Sequence, residues 1–184
     1  MFPNTESSRF FPDKDEYDNY YHQYISLFQT DNFLDAFAAQ IDELKTLLEG
    51  LSDGVDSQLH EPYTWTIKQV VGHLIDCERI FSTRLLRIAV GDTTPIPGID
   101  QNIYVANLDY EHVTLQALLE ELSQLRQANT LLAKRMGYHE LRRRGIASEK
   151  GVSARANLLI IAGHVVYHMK IIRQRLQSNH LEPQ

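Results

Sequence analysis

A chain of 184 residues, 43% of them hydrophobic, is long enough for one domain with a substantial core and too apolar for wholesale disorder. Its formal charge of −6, from 18 Lys and Arg against 24 Asp and Glu, argues against a nucleic-acid partner, because such proteins need basic surface to displace counterions from phosphates. The single cysteine, Cys77, rules out an internal disulfide, and neither a secretory leader nor a run of ~18 apolar residues is present, so a soluble cytoplasmic protein with no membrane partner is expected.

Residues 1–14 carry two prolines among mixed polar residues and read as a tail. Tyr17, Tyr20, Tyr21, Tyr24, Ile25 and Phe28 then recur at helical spacing and predict a short packing helix, which makes 1–30 an N-terminal extension. Asp31-Asn32 offers an N-cap to a first long helix over 32–49, whose Phe33, Phe37, Ile41, Leu44 and Leu48 fall three and four residues apart, with Gly50 and Gly54 ending it. Thr64 or Thr66 caps a second helix running to about Val90. Its apolar arc is wide, as for a helix packed on two neighbours, and Gly91 stops it.

From Gly91 to about Tyr110, with Pro95, Pro97 and Gly98, the pattern predicts neither strand nor helix. Ordered loops of that length are often functional. A third helix follows over about 112–136, closed by Gly137, and a basic polar loop containing Arg142, Arg143 and Arg144 as solvated residues leads to Gly151. Ser153 caps a fourth helix over 154–177. Period-2 alternation is absent. The fold expected is all-α: a four-helix bundle over 31–178 with a long crossover between the second and third helices, and a C-terminal tail at 179–184.

Eight histidines are present, and three stand apart. His164 and His168 lie four residues apart, so both imidazoles leave one face of the fourth helix, in the centre of its apolar stripe. Burying two neutral imidazoles leaves four ring nitrogens needing partners, and each unsatisfied buried polar group costs roughly 1–3 kcal/mol. A shared metal ion satisfies two of them; the alternative is a pair of core histidines held by ordinary hydrogen bonds. His73 falls in the apolar arc of the second helix beside Val70 and Cys77 and would supply a third nitrogen. Three histidines with one open position is the arrangement of a catalytic zinc site, and bundle interiors are where helical proteins build such centres. Cys77, in an apolar stretch, reads as an inert buried thiol. His22, His60, His112, His139 and His180 fall in polar or terminal surroundings and read as surface residues.

Three segments together resemble the DinB/YfiT-like superfamily: Trp65 to Asp76 (WTIKQVVGHLID), Pro97 to Tyr104 (PGIDQNIY) and Gly163 to His168 (GHVVYH). The likeness covers about residues 32–177. It implies a four-helix bundle in which His73, His164 and His168 bind zinc, nickel or a similar divalent ion. It also implies relatives of two kinds, S-transferases and isomerases that use bacillithiol or mycothiol and proteins described as metal-dependent hydrolases, several of them homodimers.

The function expected is that of an enzyme acting on a small-molecule substrate, in which the metal activates a low-molecular-weight thiol or a water molecule. The alternatives are a non-catalytic metal-binding stress-response or carrier protein, and a structural helical dimer without metal. Asn157 and Arg175, two turns away on either side of the histidine pair, and Glu78 in the second helix are candidates to orient ligands or act as a base, against a plain structural role for each. Asp100, Gln101 and Tyr104 are placed at the pocket mouth by the resemblance.

Overall fold

The long helices form where apolar periodicity is bounded by capping chemistry. The computed structural model describes residues 6–51 and 54–178. Its helices are α1 (His22–Ile25), α2 (Phe33–Leu48), α3 (Ile67–Val90), α4 (Gln101–Asn107), α5 (Leu115–Arg135), α6 (Tyr138–Arg142) and α7 (Ala154–Ser178), with a hairpin of β1 (Arg144–Ala147) and β2 (Lys150–Ser153) before α7. Thr66 caps α3 reciprocally: its hydroxyl accepts from Gln69 N–H at 3.1 Å while its own N–H donates to Gln69 Oε1 at 2.9 Å. Gly91, at φ +86°, ends that helix in the left-handed conformation that glycine adopts without strain. Thr114 and Ser153 cap α5 and α7 through side-chain oxygens at 3.2 and 3.1 Å. At α2 the Asn32 side chain donates to the Asp35 carboxylate instead of capping the backbone.

Helices α2, α3, α5 and α7 form the bundle. Both α2 and α3 pack on α5 and on α7, so the first two long helices of the chain face each other across the bundle instead of lying side by side. The core divides into two apolar clusters. Phe33, Phe37, Leu85, Ile88, Leu158 and Leu159 belong to one, and Ile41, Leu44, Leu74, Leu122, Val165 and Ile172 to the other. On every helix the change from one cluster to the other falls at a polar layer. Arg126 of α5, 1% exposed, donates through Nε and Nη2 to both oxygens of Glu78 on α3 at 2.8 and 2.9 Å. Its Nη1 donates to Phe37 O and Gln40 Oε1 on α2. Asn129 Nδ2 completes Glu78 at 2.8 Å, and Gln40 Nε2 donates to Ala162 O on α7 at 2.9 Å. The layer therefore ties all four helices.

Several expectations are corrected outside the bundle helices. The crossover contains α4, capped by Asp100, whose Oδ1 accepts from Asn102 N–H at 2.9 Å. Gly137 does not close α5; it precedes α6. The basic loop is the β1–β2 hairpin, turned through Ser148 and Glu149 at positive φ, so the fold is mostly helical with one small antiparallel sheet. Arg142 and Arg144 are exposed, as expected, and Arg143 is half-buried, but each has a partner. Arg142 pairs with Asp13, Arg143 Nη1 donates to Ala89 O at the end of α3, and Arg144 holds Asp15.

Residues 6–10, read as tail, form a 3-10 turn whose Phe10 is buried and stacks on Phe33 at 4.6 Å. The expected C-terminal tail, 179–184, and residues 1–5 lie outside the described residues. No helix among the described residues is long and apolar enough to cross a membrane.

Removing one member of the polar layer strands its partner's charge in the core. Arg126→Met is expected to lower unfolding free energy by about 3–5 kcal/mol in urea titrations. The double variant Arg126→Met with Glu78→Met is expected to lose clearly less, and equal losses would contradict a buried charge as the cause.

Candidate metal centre

His73, His164 and His168 meet although 91 residues separate the first two, because α3 and α7 pack together along their lengths. His164 Nε2 lies 3.2 Å from His73 Nε2 and 3.1 Å from His168 Nε2, and all three rings are buried. Aromatic side chains wall the cluster. Trp65 packs on His73 at 5.0 Å between ring centroids, Phe81 and Tyr24 on His164 at 5.7 and 5.5 Å, and Tyr167 on His168 at 5.3 Å. Tyr24 belongs to α1, which lies so close to α7 that only a glycine fits at 163; a methyl there would collide with the Tyr24 carbonyl oxygen.

One further donor joins the cluster. Cys77 follows His73 by one turn of α3, and its Sγ stands 3.7 Å from both nitrogens of that ring. Among the described residues, the group in which every donor atom lies within 4.8 Å of every other is His73, Cys77 and His164, not three histidines. His168 joins the group through His164, and its ring centroid also lies 5.0 Å from that of His73. Reading Cys77 as inert missed it, although the His-x-x-x-Cys spacing repeats the four-residue step of His164 and His168.

The electrostatics suit a cation. Burial pushes His73 down to about 4 and His168 down to about 3, and holds His164 well below its ordinary range, with the neighbouring imidazoles adding to the effect at His164 and His168. All three are therefore neutral at pH 7 and ready to ligate. A neutral imidazole nitrogen carries either one proton or one lone pair, so His164 Nε2, facing two other ring nitrogens, cannot satisfy both by donating. A divalent ion is a partner that three converging lone pairs can share, and imidazole nitrogen suits zinc and nickel. Burial raises the Cys77 thiol to about 12, which keeps it protonated unless a cation draws off the proton.

The remaining expected residues divide. Glu78 accepts two bonds from Arg126 and one from Asn129, Asn157 Nδ2 donates to Phe81 O at 2.8 Å, and Arg175 donates to Trp65 O and Gln58 O and contacts His60. Each thus makes structural bonds, Asn157 and Arg175 to the carbonyls of residues that wall the histidines. Beside the cluster opens a cavity of about 590 Å³ lined by Cys77, Phe81, Tyr24 and His164 and also by Asp100 and Gln101; Tyr104 is not among its lining residues. A larger cavity of about 860 Å³ lies elsewhere, between α2 and α5, and contains none of these histidines.

A sequence model described as the DinB superfamily matches residues 36–172, a span that takes in most of α2 and α7, all of α3 and α5, and all three histidines. The chain belongs to the DinB superfamily. No curated protein matches it. Among solved structures this DinB-superfamily chain is similar to YfiT from Bacillus subtilis, with a TM-score of 0.75 and 18% identity over 82% of this chain and 87% of that one. YfiT is described as a probable metal-dependent hydrolase with an unusual four-helix bundle topology. At this identity the likeness is one of fold.

Two outcomes follow from burial. An unfolded histidine titrates near ~6.5, so below that pH the unfolded chain takes up protons that the folded, metal-free chain refuses, and stability falls as pH drops toward about 4. Urea midpoints of metal-free protein should decrease from pH 7.5 to pH 5, with a shallower decrease in His168→Leu; a midpoint independent of pH would refute the buried neutral state. Gly163→Ala should destabilise by about 1–3 kcal/mol, the usual cost of overpacking, and speed amide exchange across residues 20–28 as α1 is pushed off α7.

Proposed function

We propose that this DinB-superfamily protein is a metal-dependent enzyme holding one divalent ion, zinc or nickel, with His73, His164 and His168, and that it is an S-transferase acting through a small thiol or a hydrolase acting through water. The observation that carries this reading is the convergence of three buried imidazole nitrogens within 3.1–3.2 Å steps around His164. A bound divalent ion would supply Lewis acidity, favouring the thiolate or hydroxide form of whatever occupies its open position. The chain's own residues do the rest. Trp65, Phe81, Tyr24 and Tyr167 exclude water from the imidazoles and hold their rings in place, and Arg175 and Asn157 anchor the backbone of Trp65 and Phe81 behind them. The cavity beside His164 and Cys77 gives a small molecule access to one side of the cluster.

A second reading is favoured by Cys77. With its thiolate added to the three imidazoles, the ion would be fully enclosed by four protein donors, as in structural zinc sites, and the protein would be a metal carrier or stress-response module.

Elemental analysis of purified, zinc-reconstituted protein tests the first reading: about one equivalent is expected in wild type and little in His164→Ala. Absence of metal from wild type would sink it. Cobalt substitution separates the two readings. An enzyme centre should show visible bands that shift when small thiols are added and survive Cys77→Ala, whereas a closed site should show a sulfur-to-cobalt charge-transfer band lost in Cys77→Ala and no response to thiols.

A further inference from the structure

The buried arginines of this chain are treated unequally. Arg126 faces Glu78, and Arg155 faces Glu16 and Asp13. Arg84 on α3, 4% exposed, forms no ion pair with a carboxylate among the described residues. Its Nη2 donates to Pro97 O at 3.3 Å and to Ser148 Oγ at 2.9 Å, and its Nε has no partner. A desolvated cation held by neutral oxygens and the face of the Phe81 ring lacks the counter-charge that such burial ordinarily requires.

Arg84 lines the same 590 Å³ cavity as His164 and Cys77, and Lys150 of the hairpin lines it too. Lys150 forms no ion pair among the described residues; its ammonium lies over the Tyr20 ring at 5.2 Å. The acidic side chain on the lining is Asp100, and one of its oxygens is already committed to capping α4. A chain of net charge −6 thus carries a cationic cavity. Between Arg84 and His164 stands Phe81, whose ring is 5.3 Å from the Arg84 guanidinium carbon and 5.7 Å from the His164 ring. The cavity therefore grades from charged at the Arg84 end to aromatic at the histidines, in a volume typical of small-molecule sites, ~300–1,000 Å³.

We propose that this cavity binds a small organic anion, with its carboxylate or phosphate on Arg84 and Lys150 and its apolar body along Phe81 and Tyr24 toward His164. A guanidinium fork matches either oxyanion in a bidentate manner, and Lys150 adds a movable point charge. The inference rests on the enzyme reading in taking this anion as the substrate; the binding itself requires no metal.

Calorimetric titration of the full chain, zinc-loaded and metal-free, with benzoate, phenyl phosphate and neutral benzamide tests it. Benzoate or phenyl phosphate is expected to bind at least tenfold more tightly than benzamide in both forms, and the tighter of the two identifies the headgroup. Arg84→Gln should remove the preference while leaving the zinc content at the wild-type value. Should Arg84→Gln fail to fold, Lys150→Glu, which changes a partly exposed side chain, should weaken benzoate binding severalfold with an unchanged circular dichroism spectrum. The proposal is overturned by equal affinity for benzoate and benzamide, by no binding of any probe in the millimolar range, or by a preference that survives Arg84→Gln or, where that variant is unfolded, Lys150→Glu. Anion binding that vanishes with the zinc and ignores Arg84 would also overturn it while sparing the metal reading. An Arg84-dependent preference in a protein that takes up no metal would uphold the anion site and remove the metal-dependent enzyme.

Discussion

Arg126 brings a full charge into the middle of the bundle, and a charge in that position has to be neutralised where it lies. Glu78, Asn129, Gln40 and the Phe37 carbonyl do this, and Gln40 in turn bonds the Ala162 carbonyl, so that α2, α3, α5 and α7 are all held at one level. Apolar contacts alone would allow the helices to slide by a turn at modest cost. This network does not, because a slide would leave several buried polar groups without partners at about 1–3 kcal/mol each. Glu78 follows Cys77 directly and lies five residues beyond His73, while Ala162 precedes His164 by two. The layer that registers the helices therefore also sets the height at which the two sides of the histidine cluster meet.

The cluster and its cavity draw on parts of the chain that differ in kind. Histidines and cysteine come from the two long helices that the polar layer aligns. The cavity walls add to Phe81, Arg84 and Ile160 of those helices a set of shorter pieces: tyrosines of the N-terminal extension, the segment leading into α4, and the hairpin tip with Ser148 and Lys150. These pieces are pinned to one another. Ile96 exchanges two backbone hydrogen bonds with the hairpin, and Asp18 N–H donates to Gly151 O on its other side. The hairpin thus serves as the joint between the extension and the crossover, and through Ser148 it orients Arg84.

The bundle was legible in the sequence because the apolar residues of each long helix keep a period near 3.6. Thr66 and Ser153 mark two of the starts and Gly91 marks one end, whereas the Thr114 cap of α5 was not read. Helix α4 lacks that signal: Val105 is its buried residue, whereas Ile103 is exposed, so no stripe forms. The hairpin has strands of four residues and turns through Ser148-Glu149, without the Asn-Gly or Asp-Gly that usually mark a two-residue turn.

The pairings of the exposed Arg142 and Arg144 were not legible because their partners, Asp13 and Asp15, lie about 130 residues away in the chain, and no local pattern encodes such pairings. The three histidines were conspicuous as polar residues on apolar stripes, but Cys77 was masked because a cysteine is unremarkable there. The lone indole of the chain, Trp65, packs at a tilt against His73, one of these residues. Its emission is consequently a native optical gauge of the cluster. A paramagnetic ion bound among the imidazoles would quench it by energy or electron transfer, whereas a closed-shell ion would leave it bright, so that uptake of the paramagnetic ion could be followed in real time without a label.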